Sequence, residues 1–151
     1  MKTREDFIDP EEVLKLENQV CFPLYSSANA VVRNYRPLLE QLDLTYLQYL
    51  VMMVLWSENG INVKELGSKL YLDSGTITPL LKRLETKALV RRTRCEHDER
   101  IRKLYLTQAG FDLKKKAQTI PNAMVCKLDI ELDDLVQLKH LCEKIILRLN
   151  Q

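Results

Sequence analysis

Between Asn62 and Thr107 the spacing of apolar residues changes repeatedly, and each change marks an element. Val63, Leu66, Gly67 and Leu70 fall at i, i+3, i+4 and i+7, one face of a short helix. Past Tyr71 and Leu72, either Asp73 or Ser74 offers an oxygen to the free N–H groups of a second helix, whose stripe is Ile77, Leu80, Leu81 and Leu84. The other face of that helix carries Ser74, Thr76, Thr78, Lys82 and Arg83. Leu89 to Arg94 and Ile101 to Thr107 then read as two strands joined by the polar turn Cys95-Glu-His-Asp-Glu-Arg100. Helix, turn, helix and basic hairpin in this order make a winged helix-turn-helix. The expected fold class is therefore mainly α, with a DNA-binding lobe over about residues 45–107.

The flanks predict helices that do a different job. Asp9-Pro10-Glu11-Glu12 is a helix start, with an N-cap carboxylate, proline in the first turn and glutamate at the capping-box position. That helix is expected to run to about Tyr35 with a kink at Pro23. Thr45 to Ser57 is a further helix, Thr107 caps one from Gln108 to Thr119, Pro121 interrupts, and a last helix spans Glu131 to Asn150. On this last helix Leu132, Leu135, Val136, Leu138, Leu141, Cys142, Ile145, Ile146 and Leu149 form a stripe wider than a small winged domain needs. Either it packs on the first helix, or both termini pair across a two-fold axis. We expect the second: one domain, 1–151, with dimerisation elements at about 9–36 and 108–150. A homodimer would set two reading helices ~34 Å apart on a pseudo-palindromic duplex.

Charge sharpens the picture only locally. The chain is +2 overall, yet residues 82–103 hold nine Lys/Arg against four Asp/Glu, so that window is +5 and the rest −3. Positive charge thus gathers on the second helix and the hairpin, where phosphates would be met. With 46% hydrophobic residues the chain can bury a sizeable core. The first ten residues lack the apolar stretch of a signal peptide, and the apolar run Leu50 to Trp56 is too short to span a bilayer, so a cytoplasmic protein with no membrane contact is expected. Four cysteines, at 21, 95, 126 and 142, show no CxxC spacing, and Cys95 with His97 cannot close a tetrahedral site. No metal, no cofactor and no enzymatic activity are expected.

The segments Leu16-Glu-Asn-Gln-Val-Cys-Phe-Pro-Leu-Tyr25, Tyr71-Leu-Asp-Ser-Gly-Thr-Ile-Thr-Pro-Leu-Leu-Lys-Arg-Leu-Glu85 and Asp98-Glu-Arg100 closely resemble the organic-hydroperoxide-sensing repressors of the MarR family. The likeness runs from about residue 14 to the C-terminus. It implies a dimeric repressor that holds double-stranded DNA when reduced and leaves it when Cys21 is oxidised by an organic hydroperoxide. It also implies that hydroxyls of Tyr35 and Tyr46, from the partner subunit, donate hydrogen bonds to the Cys21 sulfur, with Tyr25 and Phe22 in the same pocket. The 126 − 21 = 105 residue separation matches the branch that closes an intersubunit disulfide between Cys21 and Cys126. Pro23 is a departure from the family motif, whereas Pro79, inside the recognition helix, agrees with the likeness.

Read from residues alone, Cys21 has no Lys or Arg nearer in sequence than Lys15 to favour the thiolate, so activation must come through the fold. A packed structural thiol is the alternative for Cys126, and Cys142, on the stripe of the last helix, is expected in the core. On DNA, Ser74, Thr76 and Thr78 are expected at base edges or phosphates, and Lys82, Arg83 and Arg94 nearer the backbone. Arg100 is expected in the minor groove, oriented by Asp98. Arg83 pairing with Asp73 is the structural alternative. The rival functions are a repressor gated by a phenolic or lipophilic small molecule, a thiol peroxidase and a protein-binding module.

Overall fold

The computed structural model describes residues 10–94 and 101–150. In chain order they form α1 (Pro10–Val13), a 3₁₀ turn (Leu16–Asn18), α2 (Cys21–Glu40), α3 (Tyr46–Ser57), α4 (Val63–Leu70), α5 (Ser74–Thr86), β1 (Val90–Arg94), β2 (Arg102–Leu106), α6 (Gln108–Ala117), α7 (Ile120–Leu128) and α8 (Leu132–Leu149). This is the winged helix-turn-helix with flanking helices that the apolar spacing anticipated. Asp98, Arg100, Cys95 and His97 lie outside the described residues, and so does Asp9.

The caps explain most boundaries. Thr45 and Gln48 form a reciprocal box at the start of α3, and Asn62 and Glu65 do the same for α4. Of the two candidates ahead of α5, Asp73 is the cap: its carboxylate accepts from the Thr76 N–H at 2.8 Å. Thr107 caps α6 through the Gly110 N–H at 3.1 Å.

The long first helix is corrected in three ways. It breaks into α1, the 3₁₀ turn and α2, because Asn18 donates to the Glu12 carbonyl at 2.9 Å and the Gln19 amide donates to the Val13 carbonyl. Side-chain amides thus take carbonyls that a continuing helix would have used. Pro23 falls in the first turn of α2, where no N–H is needed, so it starts a helix and kinks nothing. The helix also passes Tyr35 and ends at Glu40, tolerating Pro37.

The core lies beneath the reading head. Leu39, Met52, Leu55, Leu66, Ile77, Leu81, Leu84, Leu104 and Ile120 are essentially solvent-free, and one apolar cluster joins the end of α2 to α3, α4, α5, the hairpin and the start of α7. β1 and β2 are antiparallel with Val90 opposite Leu106 and Arg94 opposite Arg102. In contrast α8 buries none of its residues, and Leu132, Val136, Leu138, Leu141, Ile145, Ile146 and Leu149 stand exposed. The first helix therefore does not cover the α8 stripe, and Cys142 is half-exposed where a core thiol was expected.

α6 meets the hairpin at Gly110, where there is no room for a side chain. A Cβ there would lie 2.3 Å from the Leu89 carbonyl oxygen, a backbone atom that cannot swing away. Gly110→Ala should destabilise the fold by about 2 kcal/mol, a fall in Tm of roughly 4–8 °C. Thermal denaturation followed by circular dichroism measures it; an unchanged Tm would mean that this junction has slack.

Candidate redox site and nucleic-acid interface

Two sets of residues assemble on the molecule, one aromatic and one cationic. The aromatic set begins where α2 crosses α3. Tyr35 from α2 and Tyr46 from the first turn of α3 have ring centroids 4.8 Å apart, and Tyr49, one turn further along α3, stands 6.1 Å from Tyr35. The capping box at Thr45 fixes the start of α3, and with it the ring directions. Burial pushes the phenols of Tyr35, Tyr46 and Tyr49 above their ordinary range, and the neighbouring phenols add to the effect for Tyr35 and Tyr49. A phenol held protonated is a dependable hydrogen-bond donor. Tyr49 was not among the residues singled out from the sequence, although its i+3 spacing from Tyr46 was a usable signal.

Cys21, Phe22 and Tyr25 are not part of that cluster within one chain. They occupy the first turns of α2, all exposed, with Cys21 and Tyr25 at i and i+4 on one face. Cys21 and Tyr35 are 35 − 21 = 14 residues apart on one helix, or about 21 Å along its axis. No side chain spans that distance. Cys126 is exposed on α7, a helix that packs against α2. Among the described residues no cluster of His, Cys, Asp or Glu is arranged to hold a metal ion.

The cationic set lines the space between α4, α5 and the wing. A groove of about 850 Å³ opens there, with Ser74 and Thr78 on one wall, Lys64 at its edge and Arg92 and Arg102 on the other wall. Ser74, Thr78 and Lys82 recur at i, i+4 and i+8 along α5 and are exposed, as is Arg83 in the next row. Thr76 is half-buried and its N–H is spent on the Asp73 cap, so it stands back from the row. Asp73 is also ten residues from Arg83, about 15 Å along α5, which rules out their pairing.

Three wing features were missed in the sequence because they depend on how the strands pair and pack. Arg94 and Arg102 face each other across the ladder, and like charges directly opposite are unfavourable unless an anion is nearby. Arg92 instead pairs with Glu85 at 2.5 Å, both partly buried, which ties the wing to the second half of α5 and raises the arginine's already high pKa through that hydrogen bond. Arg91 lies over the Tyr105 ring, 5.6 Å from its centre.

Similarity to known proteins bears on this geometry. The family model for the transcriptional regulators SarA/Rot matches residues 33–117. The organic hydroperoxide resistance transcriptional regulator of Bacillus subtilis is 44% identical over 138 residues, covering 91% of this chain and 94% of that protein. Among solved structures, reduced AbfR bound to DNA superposes with a TM-score of 0.80 at 31% identity, covering 93% of this chain and 99% of that one. Disulfide-formed AbfR superposes less well, at 0.61 with 32% identity over 93% of each chain. AbfR is a protein of Staphylococcus epidermidis. The family and the Bacillus relative are regulators of transcription rather than enzymes.

The three phenols give a measurable pH dependence. Their folded-state pKa values lie above the unfolded value of about 10, so folding favours the neutral form. That stability is fully present below pH 10 and is lost as the pH rises through the folded values. Absorbance titration at 295 nm should show a fraction of the six tyrosines ionising late, together with denaturation midpoints that fall above pH 10. Six phenols titrating together near 10 would contradict the burial described.

Proposed function

Because the chain belongs to the organic hydroperoxide resistance branch of the MarR family of transcriptional regulators, we propose that it is a homodimeric repressor whose grip on duplex DNA is released when Cys21 is oxidised by an organic hydroperoxide. One observation carries this reading: the thiol and Tyr35, the α2 member of the phenol cluster, sit on the same helix about 21 Å apart, so each chain holds two complementary half-sites. A two-fold partner joins them, bringing Cys21 of the partner subunit to Tyr35 and Tyr46. The exposed apolar stripe of α8 and the exposed Leu16, Val20 and Phe22 near the start of α2 supply the surface for that partner. The division of labour follows: about 45–107 reads DNA, while about 9–36 and 108–150 pair the subunits.

In the joined site, hydroxyls of Tyr35 and Tyr46 donate hydrogen bonds to the sulfur and favour its thiolate form. The thiolate attacks the outer oxygen of R–O–OH; the O–O bond breaks, R–O⁻ leaves and takes a proton as the alcohol, and sulfur becomes a sulfenic acid. Cys126 of the partner subunit then condenses with it, forming an S–S bond and releasing water. Tyr25 and Phe22 give the pocket apolar walls that suit an alkyl group. This conformation superposes on reduced DNA-bound AbfR at 0.80 but on disulfide-formed AbfR at 0.61, at nearly equal identity, which supports its being the DNA-binding state. Ser74 and Thr78 face base edges, Lys82, Arg83, Arg94 and Arg102 meet phosphates, and Arg100 with Asp98 serves the wing tip. Loss of fit at either half-site is enough for release, since both must be met together.

Two experiments test this, using a duplex selected by the wild-type protein from a random-sequence pool. Cys21→Ser should bind that duplex as wild type does and keep it in the presence of cumene hydroperoxide. Release of Cys21→Ser by the peroxide would sink the sensing role, and a disulfide-linked dimer persisting in Cys126→Ser on a non-reducing gel would exclude the second thiol. Separately, Arg102→Ala should weaken binding and lower the slope of log affinity against log salt by about 1 for each phosphate left without its cation. An unchanged slope would remove that side of the wing from the interface.

A further inference from the structure

The phenol cluster does not end at Tyr49. Tyr49 meets Trp56 in an edge-on contact with centroids 6.2 Å apart and planes at 67°. Trp56 Nε1 donates to the Gly110 carbonyl at 2.8 Å, and Lys114 Nζ donates to the Trp56 carbonyl at 3.2 Å. Gly110 in turn gives its N–H to Thr107 Oγ1, and that hydroxyl donates to the Ala88 carbonyl at 2.7 Å. The Thr107 N–H bonds the Leu89 carbonyl at 3.1 Å. Gly110 itself sits so close to Leu89 that no side chain fits between them. A continuous series of touching groups thus runs from Tyr46 and Tyr35 through Tyr49 and Trp56 to the residues where β1 begins and β2 ends.

We infer that Tyr49 and Trp56 are positioning residues through which the state of the Cys21 site sets the angle of the wing relative to α5. The inference rests on the sensing function proposed above. Two features make the series a transmitter rather than ordinary packing. Tyr49 is 3% exposed, so it has no solvent to move into when a displaced Tyr35 or Tyr46 presses on it and must pass the displacement on. At the other end the Trp56 indole holds α6 by a directed hydrogen bond to Gly110, the residue with no slack against the root of the wing. Chemistry at the thiol that drives Tyr35 and Tyr46 aside is therefore delivered to the hairpin carrying Arg92, Arg94 and Arg102. The four aromatic residues come from helices α2 and α3 of one chain, so beyond the shared thiol site the link runs within a single subunit.

The test uses the full dimer and the selected duplex. Trp56→Phe keeps a six-membered ring to meet Tyr49 while deleting the donor to Gly110 together with the five-membered part of the indole. Wild type and variant are each reduced, titrated with the duplex, treated with one equivalent of cumene hydroperoxide, assayed by mass spectrometry for oxidation at Cys21, and titrated again. Both should bind within about twofold when reduced and oxidise Cys21 at the same rate. Oxidised wild type should lose affinity by a factor within the ~5–150 usual for coupled sites, and oxidised Trp56→Phe by less than about 3. Normal oxidation with full release in the variant would overturn the relay alone, whereas a wild-type Cys21 that stays reduced would overturn the sensing function and the relay with it. Trp56 is the only tryptophan in the chain, so wild-type emission is an independent readout. It should shift on oxidation in wild type and stay fixed in Cys21→Ser; emission that does not respond in wild type would also overturn the relay.

Discussion

Cys21 and Tyr35 ride on one α-helix, and an unbroken helix of that length holds them apart as firmly as a rod. Capping of the preceding turn by Asn18 and Gln19 lets α2 begin at Cys21, and Pro23 in its first turn leaves the rod straight. Chemistry that uses both the thiol and the phenols must therefore be shared between chains. Dimerisation then becomes part of the proposed reaction, over and above its role in spacing two reading helices on DNA. The same constraint accounts for the unequal distribution of apolar surface: the reading head buries most of its apolar side chains, while α8 and the start of α2 leave theirs uncovered.

The reading head depends on a second rigid joint. The Glu85–Arg92 ion pair pins the wing to α5 at one point, about which the hairpin can turn, and Gly110 presses α6 against Leu89 at the root of β1. Such joints leave few ways to move, so a small displacement reappears at the wing as a change of angle instead of being absorbed. The wing also carries Arg94 opposite Arg102, an arrangement that costs energy in the free protein and is relieved when a phosphate lies between them. Affinity and responsiveness share the same few residues.

Much of this was legible in the residues. The apolar spacing of Val63 to Leu84 placed α4 and α5 and the alternation after Leu89 placed the hairpin, since each period reflects burial of one face. Thr107, and Asp73 or Ser74 ahead of α5, announced their helices because a side-chain oxygen beside free N–H groups is a local interaction. The first helix misled for the opposite reason. Whether Pro23 kinks a helix or opens one depends on where Asn18 and Gln19 send their amides, several residues back.

By itself the sequence determined the order of elements from α3 to α6, the polar row on α5, the basic hairpin and the thiol worth following, because all of these follow from local periodicity, capping and composition. It did not show the break ahead of α2 or the helix α7 that Pro121 opens. Only the tertiary structure decided that Tyr49 and Trp56 extend the phenol cluster, that Arg94 faces Arg102, that Asp73 cannot reach Arg83, and that Cys21 lies far from its own chain's Tyr35. Those facts come from helix crossing, strand register and axial rise. Distances of that kind are set by how elements pack or extend, which no short window of residues contains.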